Sequence, residues 1–404
     1  MRFGLPRQVW LLGLTSLFTD TASEAIYPLL PVYLTRVLGA GAASLGLIEG
    51  VAEAANSLLK IVSGHLSDKW KLRRPIVIAG YGLSSAIRPL TALIVSWPQL
   101  LAVRLLDRVG KGVRGAPRDA MLAACATPST RGRVFGFHRS MDHVGAIVGP
   151  LLASAFLLAY PGQYRWLFAL TIVPGALAVA SLFLVDEPTV EAPSSAASAA
   201  AAGAATAASW RDLPARFFVV LGVVMVFTLG NSADAFLLLQ RSNAGVAAAG
   251  IPLLWALLHV VKAVMSTWAG VKSDRWGRRV MIGAGWVVYA VVYAGFAASS
   301  SVSSLIAWFM VYGVYYGLSE GTERALVADL APAALRGTAF GIYNGVLGIG
   351  ALFASVVFGL VWKFVSPAAA FSLGAALALL ATVLLATVVK TRDERSGELA
   401  AGRG

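Results

Sequence analysis

The chain has 404 residues, 58% of them hydrophobic and 13% charged, with a mean hydropathy of +0.74. Water-soluble domains carry about 25% charged residues, so this composition excludes an ordinary soluble enzyme and a disordered chain alike. The net charge of +13 is spread over short loops rather than gathered into a nucleic-acid patch, and a single cysteine, Cys125, with four scattered histidines leaves no disulfide framework and no thiolate metal site.

A bilayer-spanning helix takes about 20 apolar residues and about 30–35 with its loop, so the length suits about twelve spans and no sizeable extramembrane domain. Arg2 and Arg7 precede an apolar run that resumes after Asp20 and Glu24 as Ala25 to Leu34, which is far longer than a cleavable signal segment. It is read as the first span. Further apolar stretches follow at about 44–66, 75–96, 98–125, 133–159 and 165–185, then at 217–240, 246–270, 279–299, 303–328, 337–362 and 367–389. The expected architecture is all-α: residues 1–186 a six-helix bundle, 187–215 an Ala/Ser-rich cytoplasmic linker, 216–390 a second six-helix bundle, and 391–404 a tail.

With the N-terminus on the cytoplasmic side, the inner loops and tails hold 19 Lys and Arg, including Lys69, Lys71, Arg73 and Arg74 in one loop; the outer loops hold only Arg36, Arg165, Arg241 and Lys363. That asymmetry places both termini in the cytoplasm and the protein in the cell's inner membrane.

Two landmarks recur. Gly64-His65-Leu66-Ser67-Asp68-Lys69-Trp70-Lys71-Leu72-Arg73-Arg74 follows the second span, and Gly270-Val271-Lys272-Ser273-Asp274-Arg275-Trp276-Gly277-Arg278-Arg279 follows the eighth, at an offset of 206. Arg131-Gly132-Arg133-Val134-Phe135-Gly136 precedes the fifth span and Arg336-Gly337-Thr338-Ala339-Phe340-Gly341 the eleventh, at an offset of 205. Two matches at one spacing mark an internal repeat. Both pairs lie on one membrane side, so the halves are parallel six-helix repeats.

The doubled G-x-x-S-D motif between spans two and three and between eight and nine resembles the signature of the major facilitator superfamily, and the resemblance covers nearly the whole chain. It implies twelve transmembrane helices in two pseudo-symmetric bundles, with Gly64, Asp68, Arg73 and Arg74 and their counterparts Gly270, Asp274, Arg278 and Arg279 at a cytoplasmic gate between the halves. The same cations read equally as topology signals. Lys71 stands where the usual second glycine would be, so the turn of the first copy should differ. In span five, Gly145-Ala146-Ile147-Val148-Gly149-Pro150 resembles the superfamily's antiporter-associated G-x-x-x-G-P motif; the plain alternative is a packing seam with a proline kink.

Ionisable residues inside a span cost at least a few kcal/mol, which makes each a functional candidate. Asp20 and Glu24 share a face of span one, and Glu49, Glu53 and Lys60 a face of span two. Span four carries Arg104, Arg108, Lys111 and Arg118 on one stripe with Asp107 and Arg114 beside it. Such a stripe cannot face lipid. Its D-R-x-G-K-G-x-R-x-x-P-R-D stretch, ending at Asp119, resembles a segment of a bacterial, efflux-like subgroup of the superfamily and brings no substrate with it. His138, Arg139, Asp142 and His143 form a polar cluster in span five, read as structural ahead of a proton relay. The second half is sparser, with Asn231 and Asp234, His259 and Lys262, Glu320, Glu323 and Arg324, and Asn344.

In the resembled architecture spans one, four, seven and ten line the central cavity, so Asp20, Glu24, Arg104, Asp107, Arg108, Lys111, Asp234 and Glu320 are the expected coupling and cavity residues. At 1.5 Å per residue, Asp20 and Arg108 lie about 18 and 15 Å from opposite ends of their helices, near the midplane. The expected function is secondary transport of a small molecule by alternating access, proton-coupled and exporting, by a monomer that needs no cofactor, metal or nucleic acid. Uptake of an organic anion with protons is the alternative, and a lipid-moving or sensing role on the same fold a third. No P-loop is present, so ATP does not drive the chain directly.

Overall fold

A computed structural model describes residues 4–30, 33–39, 42–186, 209–231, 251–299 and 301–388. Those residues form helices and short connections, in the expected order of spans. Residues 187–208 of the expected linker, and Asp234, lie outside the described residues.

The first span is α-helical over Arg7–Glu24 and tightens to a 3-10 turn at Tyr27–Leu29, where Pro28 removes a backbone donor and ends the regular ladder. Span two runs over Ala42–Trp70 and span three over Arg73–Ile87, with a 3-10 continuation at Arg88–Leu93. Spans four and five are Trp97–Ala124 and Arg131–Ala159. Span six is split at Thr171 into Tyr164–Leu170 and Ile172–Phe183. In the second half, Ala215–Gly230, Ile251–Trp276, Arg278–Ala298, Val302–Leu330, Arg336–Phe364 and Pro367–Val388 make spans seven to twelve.

The doubled motif is not a loop, contrary to expectation. Gly64 to Trp70 and Gly270 to Trp276 are the last turns of their helices, and only Lys71 and Leu72, or Gly277 alone, make the turn. Lys71 sits at φ 56° and Gly277 at φ 90°, both left-handed. The first copy therefore has one residue more in its turn, and the repeat offset falls from 206 to 205 at this point.

The two halves use the same internal contacts. Span one packs on five and six, two on four, and three on four and six; span seven packs on eleven and twelve, eight on ten, and nine on ten and twelve. Between halves, span five packs along span eight and span two along span eleven. These are again one contact and its image.

Among the described residues, six helices are both long and apolar enough to cross a membrane by length and composition: Arg73–Leu93, Arg131–Ala159, Tyr164–Phe183, Arg278–Ala298, Ala333–Trp362 and Pro367–Val388. Span four, with five Arg and Lys and two Asp between Arg104 and Asp119, is far too charged to meet that standard. Large apolar side chains such as Leu158, Trp166, Phe183, Leu352 and Phe364 stand exposed on the outer face, as lipid contact requires. The halves also differ in filling. The second is rich in rings: Phe227 stacks on Trp286 at 4.6 Å and Tyr289 on Tyr293 at 4.1 Å, whereas the repeat counterpart of Tyr293 in the first half is Arg88.

Candidate functional site

The end of the molecule that bears the doubled motif is closed by two matching caps. The first turn of a helix has backbone N–H groups without intrahelical partners and a positive dipole end, which a carboxylate satisfies well. Asp68 accepts from the N–H groups of Gly337 and Thr338, at 3.1 and 2.6 Å, at the start of span eleven. Asp274 accepts from the N–H groups of Gly132 and Arg133, both at 2.9 Å, at the start of span five. The two sequence landmarks are thus the two sides of one contact, made twice across the halves.

Arginines fix each carboxylate. Arg73 donates to Asp68 at 3.0 Å and to the Ala333 carbonyl at 3.1 Å in the other half. Arg278 donates to Asp274 at 2.5 Å, to Pro128 O at 2.8 Å and to Asp329 at 3.1 Å. Arg131 reaches Asp329 at 2.6 Å, and its repeat partner Arg336 the Ala123 carbonyl at 3.3 Å, each across the halves. Arg74 and Arg279 also bond helix-end carbonyls. They donate to the carbonyls of Phe183 and Ala386, within their own halves, where the last turns of spans six and twelve leave acceptors free.

Glycines bring the helices together here. A Cβ on Gly64 would run into the Gly337 carbonyl, and one on Gly270 into that of Gly132. The close approach continues inward through Gly341 against Lys60 and Gly348 against Ser57 on one side, and through Gly136 against Gly270 and Ser140, which donates to Ala263 O at 2.7 Å, on the other. Gly50, further along span two, meets nothing within 4 Å. Gly145 and Gly149 belong to a different seam: each faces backbone of span one, at Leu17 to Thr21 and at Thr21 to Ala25, inside the first half. Pro150 is buried in the same helix.

A charged network spans the halves at mid-depth. Asp119 is buried and bonds Arg324 of span ten, Arg118 at 2.9 Å and, more distantly, Arg139 at 3.9 Å. Arg139 bonds Asp142 at 2.6 Å and Glu320 at 3.3 Å, and His143 lies 3.6 Å from Glu320. Arg118 also donates to Ser16 and Tyr81, at 3.3 and 3.4 Å. Glu323, next to this network, accepts only from neutral donors by hydrogen bond, Trp286 at 3.1 Å and Tyr343 at 2.8 Å.

The stripe on span four is paired within the first half. Asp107 takes Arg88 of span three at 2.8 Å and Arg104 at 3.8 Å, Arg104 also lies 5.6 Å from the Tyr27 ring, and Arg108 approaches Glu53 at 3.9 Å. Arg114 lies over Tyr81 at 4.0 Å. Asp20 and Glu24 face Lys111 and the arginines of span four, but neither is in an ion pair among the described residues.

The Major Facilitator Superfamily model matches residues 12–259 and 220–404, together nearly the whole chain. The chain belongs to this superfamily. It is 34% identical over 387 residues to an uncharacterised MFS-type transporter of Methanocaldococcus jannaschii, covering 94% of both chains. A shorter match, 28% identical over 155 residues and 38% of each chain, is to the multidrug resistance protein MdtH of Aeromonas hydrophila. Among solved structures it superposes on the proton:xylose symporter XylE with a TM-score of 0.76 at 16% identity, covering 95% of both chains, and on the human organic anion transporter MFSD10 with a TM-score of 0.75 at 17% identity, covering 94% of this chain and 99% of that one. As a member of the superfamily it is a multi-pass membrane transporter of a small molecule and not an enzyme.

The superfamily repeat also explains what sequence reading passed over. Asp119, Arg139, Asp142 and Arg324 were visible as charges but carried no site role, and Arg88 was not singled out at all. The signal for the first of these was available: the 205-residue offset carries Asp119 onto Arg324.

Proposed function

We propose that the protein is a proton-coupled secondary transporter that exports a small molecule by alternating access, with the motif end at the cytoplasm and this structure closed on that side. The observation that carries the reading is the contact between the halves, which among the described residues is one-sided: paired caps and glycine-tight helix crossings run from the motif end to mid-depth. A contact confined to one end is what a rocking pair of bundles presents in one of its two states. Asp68 and Asp274, with Arg73, Arg278 and the glycines, act as the gate; Asp20, Glu24, Arg108 and Lys111 line the coupling site.

Export is favoured by the partial kinship with a multidrug resistance protein. Proton coupling is favoured by carboxylates held inside spans without an ion-pair partner, since such a group can change its protonation as the cavity opens and closes. Uptake of an organic anion is the second reading. The excess of Arg and Lys on spans three and four supports it, as does the shared fold with an organic anion transporter.

Purified protein in liposomes separates these readings. With an acidified lumen, an antiporter draws substrate inward as protons leave; a symporter does so only with an alkaline lumen. Screening organic cations and organic anions under both gradients gives the direction and the class. Transport that ignores the gradient in both directions ends the proton-coupled reading.

A further inference from the structure

A groove of about 450 Å3 lies at the motif end where spans one, five and eight meet. Leu5, Trp10, Phe137 and Met141 line it from the first half, and Thr267 and Val271 from the second. Val260 and Val264 share a stripe of span eight with Thr267 and Val271 and are exposed, so the groove borders the face turned to lipid.

Arg133, the third residue of span five, is the charged residue of the lining. Its backbone N–H is held by Asp274, but its guanidinium has no hydrogen-bond or ion-pair partner among the described residues, and its Nε is buried. A guanidinium in that position has given up water without gaining an acceptor. A phosphate suits it, because the fork of Nε and Nη takes two oxygens at once.

Depth and polarity identify what carries the phosphate. Arg133 stands in the first turn of its span, at headgroup level, and Trp10, T-shaped on Phe137 at 4.5 Å between ring centres, is an aromatic of the kind found at that level. Met141 lies about 12 Å deeper at 1.5 Å per residue. A cation at the mouth and apolar side chains further in match a phospholipid with a chain laid in the groove. An ammonium headgroup finds no free acceptor in Asp274, which is taken by the N–H groups of Gly132 and Arg133 and by Arg278.

We propose that this groove binds an anionic phospholipid of the cytoplasmic leaflet, with its phosphate on Arg133 and a chain along Phe137 and Met141, and that the bound lipid favours closure of the motif end. Both halves build the site. When they part, Thr267 and Val271 leave the chain and Asp274 releases the backbone of Arg133, so the lipid has more contacts in the closed state and by linkage stabilises it. The inference takes from the reading above that the motif end is cytoplasmic and that the halves rock, but it needs no substrate to be measured.

The test uses the full chain with Cys125→Ser and spin labels at Ser129→Cys and Ala334→Cys, in bilayer discs of phosphatidylcholine with increasing phosphatidylglycerol. Both labels are at exposed turn positions of the motif end, one on each half. Phosphatidylglycerol should raise the closed-to-open ratio, and Arg133→Gln should need about fivefold more of it for the same shift, the weight of one cation near an anionic leaflet. Arg133→Lys should keep most of the response. Thr267→Trp, which fills the groove and leaves Arg133 in place, should lose it, and decides the matter if Arg133→Gln does not fold. Lipid retained by the protein is counted in parallel by native mass spectrometry.

An unaltered phosphatidylglycerol response in folded Arg133→Gln or Thr267→Trp overturns the proposal. So does an equal shift with glycerol phosphate, which has the charge and no chain. If Asp68→Asn parts the labels but phosphatidylglycerol has no effect on them, the inference fails and the rocking-gate reading stands. If the labels stay together in Asp68→Asn while phosphatidylglycerol is retained through Arg133, the gate reading fails and the lipid site stands.

Discussion

Asp119 and Arg324 are each other's image in the internal repeat, 205 residues apart, and they are bonded. A residue that touches its own repeat equivalent lies on the pseudo-symmetry axis, here between spans four and ten. Symmetry at that place has been broken into opposite charges, which turns self-repulsion into attraction. Arg118 and Arg139 add further cation to Asp119, so the pair is the middle of a network rather than an isolated bridge.

A buried pair of this kind is weak evidence for stability but costly to break from one side, about 3–5 kcal/mol, because the other charge is left uncompensated. Asp119→Asn and Arg324→Gln should each lower the melting temperature, and the double variant should cost at least about 1.5 kcal/mol less than their sum. The charge swap should fail to rescue, since an arginine at 119 would face Arg118 and Arg139. Additive losses in thermal melts, or full rescue by the swap, would show that the two residues are not coupled as described.

The caps at the motif end make a second prediction. Each carboxylate bond from a backbone N–H is worth about 1.5–3 kcal/mol when one partner is charged. Asp68→Asn should therefore move the closed-to-open ratio by about tenfold or more toward opening, with Asp274→Asn alike and the double variant further still. Alkylation of a Ser57→Cys probe in a Cys125→Ser background reads this directly, because Ser57 is buried against Gly348 when the halves are closed. An unchanged alkylation rate would remove Asp68 from the gate.

The two glycine seams predict different failures. Gly64→Ala and Gly270→Ala place a methyl against a carbonyl of the opposite half, so the bundles should fold but not close at the motif end. Gly145→Ala places one against the backbone of span one in the same half, and should lower thermal stability while leaving the probe at Ser57 protected. Gly82→Ala and Gly222→Ala meet nothing within 4 Å and serve as controls, gaining about 0.5–1 kcal/mol of helix stability. If Gly145→Ala opens the gate without destabilising its bundle, span five's G-x-x-x-G-P is a conformational element rather than a packing seam.

The turn after span two makes the smallest prediction. A lysine at φ 56° carries the left-handed penalty of about 1–2 kcal/mol that glycine avoids. Lys71→Gly should stabilise the first half by up to about 1 kcal/mol, whereas Gly277→Ala, at φ 90°, should destabilise the second. Thermal melts of the two variants moving in the same direction would contradict this account of the inserted residue.

How much was legible in the sequence follows from the same contacts. Twelve spans and the repeat could be read because hydropathy and recurrence are local or periodic properties of the chain. The contact at the motif end was half legible: Asp68 and Asp274 were marked by their motif, while Arg131 and Gly132 with their images Arg336 and Gly337 served only as landmarks of the repeat. Nothing in a single motif says that its carboxylate caps the other landmark's helix, 269 residues away in one copy. The bonds of Arg74 and Arg279 to carbonyls of their own halves were hidden for a related reason. Neighbouring arginines in a motif look alike in sequence, and only the position of helix-end carbonyls separates one that crosses the halves from one that does not. The approach of Arg108 to Glu53 of span two was not legible because facing stripes depend on helix rotation, which periodicity alone leaves open.

The last prediction concerns which carboxylate carries the proton between Asp20 and Glu24. Both lie inside span one, face Lys111 and the arginines of span four, and are in no ion pair among the described residues. Asp20 lies against Gly145 and Glu24 against Gly149, so both sit at the packed seam of spans one and five. A carboxylate that is half-buried, close to cations and in no ion pair is poised between its two charge states, because withdrawal from water favours the neutral form and the cations favour the ionised one. Movement of span four by a few ångströms then decides which prevails. Glu24→Gln and Asp20→Asn each fix the neutral form. If one of them is the carrier, that variant should lose accumulation driven by a pH gradient by at least about tenfold while keeping gradient-independent exchange of substrate. A Glu53→Gln control should retain driven transport, since Glu53 is more than half exposed and already has Arg108 beside it. If both span-one variants still concentrate substrate in response to a pH difference and Glu53→Gln does not, the carrier is the carboxylate on span two.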